Sequence, residues 1–431
     1  MMERADIAAL GLRALEEAGL EKAECWLRFT RRDELNLDSG EISLLRTTED
    51  VSVTLTGITG DREGSVTINK TDGDSIREAA GRVREMADSS EPDPANDISP
   101  GQPEAVFEKG PDSPDLELMY DRMRSFLRYT GASYPSLILE QVILDFTDVR
   151  KLYFNSNGAR LSSRRGWYSF SPMFTSKEGR ETSSFNYAGV SMRLPERELH
   201  TYGSIDTLMS QSTGQVRSRE FSGKFRGDLV ITPDCLEDFI GLVCMYLSDY
   251  PMIKGTSIFR DSLGKTVADR RLTLRSMPLS EELATGYFIT SDGFAAGDST
   301  IIDKGVLKSF LLSLYGSNKT GIPRAGNSGG AWIVDPGDEE LESMISSVER
   351  GVMLCRFSGG MPSESGDFSG VAKNSYYIEN GQVMYPVKEI MISGNIRDLL
   401  TGINGITRQR VDSGSSLLPW VRAGGISVFG K

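Results

Sequence analysis

The sequence predicts an α+β protein with an N-terminal α/β-sandwich-like unit, a mixed middle unit and a large β-rich C-terminal domain holding a buried helix and β-hairpins. Three observations predict this. Apolar residues at i, i+3, i+4 spacing alternate with short β-branched and aromatic runs. A Pro/Ser/Asp/Gly stretch across 89–104 has no apolar period, and Gly-containing turn signals recur between apolar runs. At 431 residues the chain exceeds one ordinary core, so two or three domains are expected.

Residues 5–19 read as an amphipathic helix, and their interspersed charges are unlike a signal peptide. The runs CWLRFT, ISLLRT and VSVTLTG follow as short strands. A second helix begins after Gly73, where Ile76, Ala79, Ala80, Val83 and Met86 fall on one face. These elements make the unit 1–100, and SSEPDPANDISPGQPE (89–104) reads as its terminal linker. The middle unit, 113–220, opens with the helical LELMYDRMRSFLRYT and continues in strands around LILEQVILDF and KLYFNSNGARLSSRRGWYSFSPMFTS. Asn157-Gly158 is a hairpin signal within it.

The domain 225–431 starts with a strand and then TPDCLEDFIGLVCMYLSDY. Thr232 suits an N-cap, Pro233 the first helical position and Asp234 the positive helix end. Apolar residues on nearly every side predict a helix buried all round. Two matched segments, Ile302-Asp303-Lys304-Gly305-Val306-Leu307 and Ile378-Glu379-Asn380-Gly381-Gln382-Val383, read as hairpins whose glycines take positive φ. Pro386 gives the second an edge character.

Composition excludes several functions. With 48 basic and 61 acidic residues the net charge is −13, which repels phosphate backbones. The pairs Arg31-Arg32, Arg164-Arg165 and Arg270-Arg271 are isolated, so no nucleic-acid partner is expected. No apolar run reaches the ~18–20 residues of a membrane span. Cys25, Cys235, Cys244 and Cys355 are widely spaced, unlike a disulfide framework or zinc ribbon, and a cytoplasmic setting is expected.

The chain has one histidine, His200. It reads as a surface or packing residue, and its solitude removes histidine-rich metal sites. Cys244, inside the apolar helix, reads as a structural thiol. Ser369 and Lys373 have dyad spacing only on a helix, which GDFSG does not resemble. The loop GNSGG (326–330) and the stretch SGDFSGVA (365–372) supply backbone freedom beside β-type runs. The candidate substrate groove therefore comprises Asn327, Gly329, Gly330, Ser369, Gly370 and Asn374, where an extended peptide adds to an open strand edge.

The ordered set GNSGG, DPGD, ERGV, GDFSGVAKNSYYIENGQVMYPVKEIMISGN and LLPWV resembles the TldD/PmbA metallopeptidase family, in its PmbA or TldE branch, also named for modulation of DNA gyrase. The resemblance implies proteolysis by a two-part zinc enzyme. In the TldD half a helix carries HExxxH before a GTS[VI]F segment, and a late cysteine completes the zinc site. This sequence keeps the anchor as Gly255-Thr256-Ser257-Ile258-Phe259. Counting back from it, the motif positions hold Ile240, Gly241 and Met245, and the late cysteine's stretch reads SGSSLLPWV.

The resemblance thus implies a subunit with no cofactor and no catalytic residue of its own, inactive alone. It would pair with a TldD-like zinc subunit, which carries the zinc, in an assembly that degrades or processes peptides and unfolded proteins. Two alternatives stand beside it: a stand-alone hydrolase using Ser/Lys or carboxylate chemistry, and a homodimeric peptide-binding scaffold.

Overall fold

The computed structural model describes residues 4–38 and 40–430. Two mixed sheets organise them. The first is built from α1 (Arg4–Glu17), β1 (Lys22–Asp38), β2 (Glu41–Thr59), β3 (Arg62–Ile68), α2 (Gly73–Ser89), β4 (Ala105–Lys109), α3 (Leu116–Ser133), β5 (Leu137–Asn155) and β6 (Arg160–Glu178). Short strands β7 (Glu181–Thr182), β8 (Asn186–Tyr187) and β9 (Val190–Met192) and helix α4 (Ile205–Gly214) complete it. The strand order is β3-β2-β1-β5-β6-β4, with β7, β8 and β9 on β6.

Alternation along β1 explains the layering. Ala23, Cys25, Leu27, Leu35 and Leu37 all face one side and are buried. Helices α1 and α2 cover the first three through Leu15, Ile76 and Val83, while α3 and α4 cover the last two through Met123, Phe126 and Leu208. Each such apolar side chain contributes roughly 1.5–3 kcal/mol on full burial. The runs ISLLRT and VSVTLTG merge into the single strand β2. The expected division between 1–100 and 113–220 is crossed by hydrogen bonding, since β1 pairs β2 on one edge and β5 on the other.

The second sheet follows in the order β10 (Lys224–Ile231), α5 (Pro233–Leu247), α6 (Asp249–Lys254), β11 (Leu274–Ser276), β12 (Ser299–Asp303), β13 (Val306–Leu307), α7 (Leu314–Thr320), β14 (Trp332–Val334), α8 (Leu341–Ser346) and β15 (Arg350–Leu354). It continues with β16 (Arg356–Gly359), β17 (Asp367–Lys373), β18 (Tyr376–Glu379), β19 (Gln382–Pro386), β20 (Ile390–Asn395), α9 (Ile396–Thr401), β21 (Ile403–Asp412) and β22 (Leu417–Phe429). The last strand is the hub, bonded to β10, β14, β20 and β21. Both matched hairpins form, with φ of 46° and 80° at Lys304 and Gly305 and 50° and 75° at Asn380 and Gly381. Positive φ at both central residues matches the right-handed strand twist. The strand bearing Pro386 ends the sheet path.

The Pro-rich stretch 89–104 is a tied strap rather than a free linker. Ala95, Ile98 and Ser99 are buried. Asp93 pairs with Lys319 at 2.6 Å and accepts from the Tyr315 hydroxyl. The Asn318 amide donates to the Ala95 carbonyl, and the Gln102 amide to that of Gly293. Polar strap residues thus exchange solvent for partners on both sheets' elements.

Beneath the strap lies a buried polar knot. The Tyr153 hydroxyl donates to Glu24 at 2.9 Å and meets Ser99 Oγ at 2.9 Å. Burial pushes the Glu24 carboxyl up to about 7 from 4.5, against the Tyr153 hydrogen bond, with Glu63 adding like-charge repulsion. The native state therefore holds this proton more tightly than the unfolded chain. Its contribution to stability is complete below pH 4.5 and lost as pH rises through about 7. Glu24→Gln keeps an acceptor for Tyr153 and removes the ionisation. It is expected to raise stability at pH about 8 by about 2–3 kcal/mol and change little at pH about 4, as denaturant unfolding at the two pH values would show.

Candidate functional site

Helix α5 carries the three positions that the resemblance assigns to the zinc motif. Pro233 starts it, but Thr232 caps through its backbone alone. Its carbonyl accepts from Cys235 and Leu236, and its amide is drawn into the β10–β15 ladder by Leu354. The helix is amphipathic rather than buried all round, because Glu237, Asp238 and Gly241 face solvent. The inner face packs Leu236, Phe239, Ile240 and Val243 into the apolar core.

The three positions therefore meet three environments. Ile240 is 6% exposed and borders a small apolar cavity of about 40 Å³ with Leu274, Ile302 and Val421. Gly241 lies on the open face, where an added Cβ would meet nothing within 4 Å. Met245 is half-buried against the core. The stretch of the late cysteine lies alongside, with the Ser416 hydroxyl donating to Glu237 at 3.1 Å. Ser413 and Ser416 are 2.9 Å apart.

Zinc takes thiolate, imidazole or carboxylate donors. Ile240 and Gly241 supply none, a thioether is a weak soft ligand, and the neighbouring hydroxyls are engaged with Glu237 and one another. Crowding on the inner side raises the Glu237 carboxyl, opposed by the Ser416 hydrogen bond, and Asp238 is raised by the same cause. Among the described residues no group of three or more His, Cys, Asp and Glu side chains is arranged to hold a metal ion. This set does not fit zinc.

Beside α5 runs β16, whose one strand partner among the described residues is β17. Phe239 of the helix packs on Phe357 of the strand with ring centroids 5.2 Å apart. Arg356 reaches across to β8, its guanidinium 4.2 Å from the Tyr187 ring and bonded to the Tyr187 carbonyl. A helix with an exposed outer face and a strand with a single described partner thus lie next to one another.

The six groove residues expected from the sequence separate into three places. Asn327 is 3% exposed. Its amide donates to Ser276 O, Gly297 O and Ser299 Oγ, and its oxygen accepts from Ser276 and Gly329. That saturates the side chain as a loop fastener. Gly329 and Gly330 have φ of 77° and 75°, and their carbonyls accept from Tyr287 and Ser276. Ser369 and Gly370 lie on β17, which is paired on both edges by β16 and β20. The open edge expected there is consequently on β16. Asn374 lies elsewhere, in the β17–β18 turn with φ of 52°.

The remaining chemical candidates are structural. His200 stacks on Tyr129 with centroids 3.6 Å apart. Burial raises the Cys25, Cys244 and Cys355 thiols to about 12, so none is an activated nucleophile. Ser369 and Lys373 belong to a strand, where i, i+4 spacing separates them along one face. No helix among the described residues is long and apolar enough to cross a membrane. Sequence reasoning missed Glu237, Asp238 and Ser416. The acid spacing in PDCLEDF carried a signal for the first two, while nothing local marked Ser416.

Comparison with known proteins shows what the chain is similar to. Residues 223–430 match the family model described as PmbA/TldA metallopeptidase C-terminal domain, and residues 27–87 match PmbA/TldA metallopeptidase domain 1. The chain is 34% identical over 188 residues to Metalloprotease PmbA of Escherichia coli O157:H7, covering 40% of this chain and 41% of that protein. It is 23% identical over 421 residues to the Metalloprotease PmbA homolog of Haemophilus influenzae, covering 89% and 88%. Its fold matches the crystal structure of TldE from Thermococcus kodakarensis with a TM-score of 0.80, 16% identity and coverage of 97% and 99%.

Proposed function

We propose, since the chain belongs to the PmbA/TldD metallopeptidase family, that it is the non-catalytic subunit of a two-part zinc peptidase. The catalytic site belongs to a separate TldD-type chain, and this subunit forms part of the wall along which peptides pass. One observation carries the reading: the helix at the place of the zinc motif presents an inward Ile240, a bare Gly241 and a half-buried Met245. None binds zinc in the manner of imidazole or accepts a proton from water.

The wall is the open face of α5 with the free edge of β16. An edge strand pairs with an extended chain through backbone groups common to all peptides, which gives broad sequence tolerance. Gly241 leaves room for that chain. The setting is cytoplasmic, and the partner is a chain bearing HExxxH and a late cysteine.

The test is reconstitution. This chain and a HExxxH-bearing chain from the same genome are expected to co-elute as a hetero-oligomer that cleaves an unfolded protein. Mutation of the glutamate in the partner's HExxxH should abolish cleavage. Separate elution, with cleavage by the HExxxH chain unaffected by this one, would contradict the pairing.

A further inference from the structure

The face of the first sheet turned away from its helices carries a row of hydrogen-bond donors. Cys25 and Leu27 of β1 pack toward α1 and α2, so Trp26, Arg28 and Thr30 point to the opposite side. Across four strands, Ser52 of β2 lies opposite Arg28 of β1, Arg28 opposite Lys151 of β5, and Lys151 opposite Ser163 of β6. The row ends at β4, where Phe107 lies opposite Ser163 and stacks on Phe288 with ring centroids 5.2 Å apart. Arg28 is exposed, and Ser52, Lys151 and Ser163 are half-buried.

Like charges directly opposite on paired strands repel, and Arg28 and Lys151 are such a pair. Arg165, diagonal to Lys151 on β6, adds a third cation to the same face. Partial burial holds the Lys151 ammonium below its ordinary value, and Arg28 and Arg165 lower it further. The acids nearby are engaged elsewhere or stand apart. Arg32 pairs with Glu34 and Asp145, while Lys109 and Arg193 share Glu281. Burial keeps the Glu24 carboxyl protonated up to about 7. Asp50, diagonal to Arg28, is exposed and has no ion pair among the described residues. Arg28 donates to the Thr30 hydroxyl at 3.2 Å. The Lys151 ammonium and the Ser52 and Ser163 hydroxyls have no partner among the described residues, and all three reach solvent.

A chain of net charge −13 thus sets three cations against one carboxylate at the rim. Arg28 and Lys151 stand on neighbouring strands ~4.8 Å apart, close enough for both side chains to reach one anion. An anion between them replaces their repulsion with attraction to a shared partner. Its oxygens would meet a guanidinium fork, an ammonium and flanking hydroxyls, which match the acceptor-only chemistry of a carboxylate. Half-burial of Lys151 reduces the solvent screening that weakens an open surface pair. The Phe107 and Phe288 rings border the donors with an apolar shelf.

We infer that this row receives the free α-carboxylate of a peptide, held between Arg28 and Lys151 with the Ser52 and Ser163 hydroxyls on either side. The choice of a peptide as the carrier rests on the non-catalytic-subunit reading above. The α-carboxylate is the one anion common to peptides of every sequence, so the site adds affinity without reading side chains.

The test uses the full chain alone, titrated with N-acetyl-trialanine and with N-acetyl-trialanine amide, which differ by one negative charge. The free acid is expected to bind, and amidation to weaken binding by roughly tenfold or more, the loss of a charge-assisted hydrogen-bond set. Arg28→Gln and Lys151→Met should each weaken the free acid to a similar degree, with melting unchanged or raised because the repelling pair is gone. Asp50→Asn should strengthen it by removing the rim carboxylate. Equal binding of acid and amide overturns the proposal and needs no variant. Lowered melting of Arg28→Gln with unaltered peptide binding overturns it too, since the cation would then serve the fold. An amide-capped peptide with a central glutamate that binds as tightly as the free acid overturns the terminal assignment in favour of an acidic side chain. Inorganic phosphate binding more tightly than the free acid overturns the peptide as carrier. No peptidase enters this titration, so its failure leaves the subunit reading standing. Conversely, failed reconstitution leaves the titration result intact.

Discussion

Gly370→Val is expected to lower stability by about 3 kcal/mol or more and to disorganise the wall beside α5. Gly370 lies opposite Gly359 in the β16–β17 pair. A Cβ there would stand 2.6 Å from the Gly359 Cα and 2.6 Å from the Phe357 ring. The first contact is with backbone and cannot be relieved by a rotamer change, so β16 must move away. Phe357 would then leave its place against Phe239 and Phe368, whose rings lie 5.2 and 6.0 Å from its own. The control is Gly241→Ala, where a Cβ meets nothing within 4 Å and alanine favours the helix by up to about 1 kcal/mol. Thermal or denaturant unfolding of the two variants measures the contrast. Equal stability would show that the sheet yields more readily than its packing implies.

Arg324→Ala is expected to cost about 3–5 kcal/mol at neutral pH. The guanidinium grips Asp292 with Nε and Nη2 at 2.7 and 2.8 Å, and donates also to Thr290 and the Ala325 carbonyl. Its centre is 3.7 Å from the Phe294 ring centroid. Burial alone would raise the Asp292 carboxyl, but the hydrogen bonds from Arg324 and Thr290 overcome it and hold it below the usual range. Leu314 at the start of α7 donates to the same carboxylate. This knot shapes the loop that carries Gly293 against Tyr153 and the strap.

The sign with pH follows from the depressed Asp292 value. In the native protein its contribution is present above the unfolded pKa, near 3.8, and lost as pH falls through the lower folded value. In Arg324→Ala the raising influence of burial is left unopposed by the guanidinium. The deficit should therefore be greatest near neutrality and shrink toward pH about 3. The double variant Arg324→Met, Asp292→Asn removes both charges and should recover part of the loss. No recovery would mean that the cost lies in packing on Phe294.

The hairpins show what was legible locally. Lys304-Gly305 and Asn380-Gly381 declare their turns because a tight turn between strands needs positive φ. The helices α1, α2 and α3 likewise carry their apolar period in neighbouring residues. The pairing of β1 with β5 carried no such signal, since its partners are more than a hundred residues apart and either strand could have ended a sheet. The strap misled for a related reason. Proline and aspartate mark a segment without its own period, yet Asp93, Asn96 and Gln102 find distant partners.

The groove divided along the same line. Glycine in GNSGG signalled special backbone, and Gly329 and Gly330 have positive φ. Whether such backbone serves a loop or a ligand depends on what lies across from it. Asn327 meets five polar partner atoms, while Asn374 is tied directly to Gln215 and Phe185. The loss of zinc donors at Ile240 and Gly241 was readable only through the resemblance. Structure adds that one is sealed in the core and the other opens a space.

In the proposed division of labour this chain lends a wall and leaves the chemistry to another polypeptide. The most direct measurement is zinc content and peptide cleavage by the isolated chain after dialysis against excess zinc. The expected result is zinc far below one ion per chain and no cleavage of an unfolded protein substrate. One tightly held zinc per chain, with cleavage abolished by chelation, would contradict it.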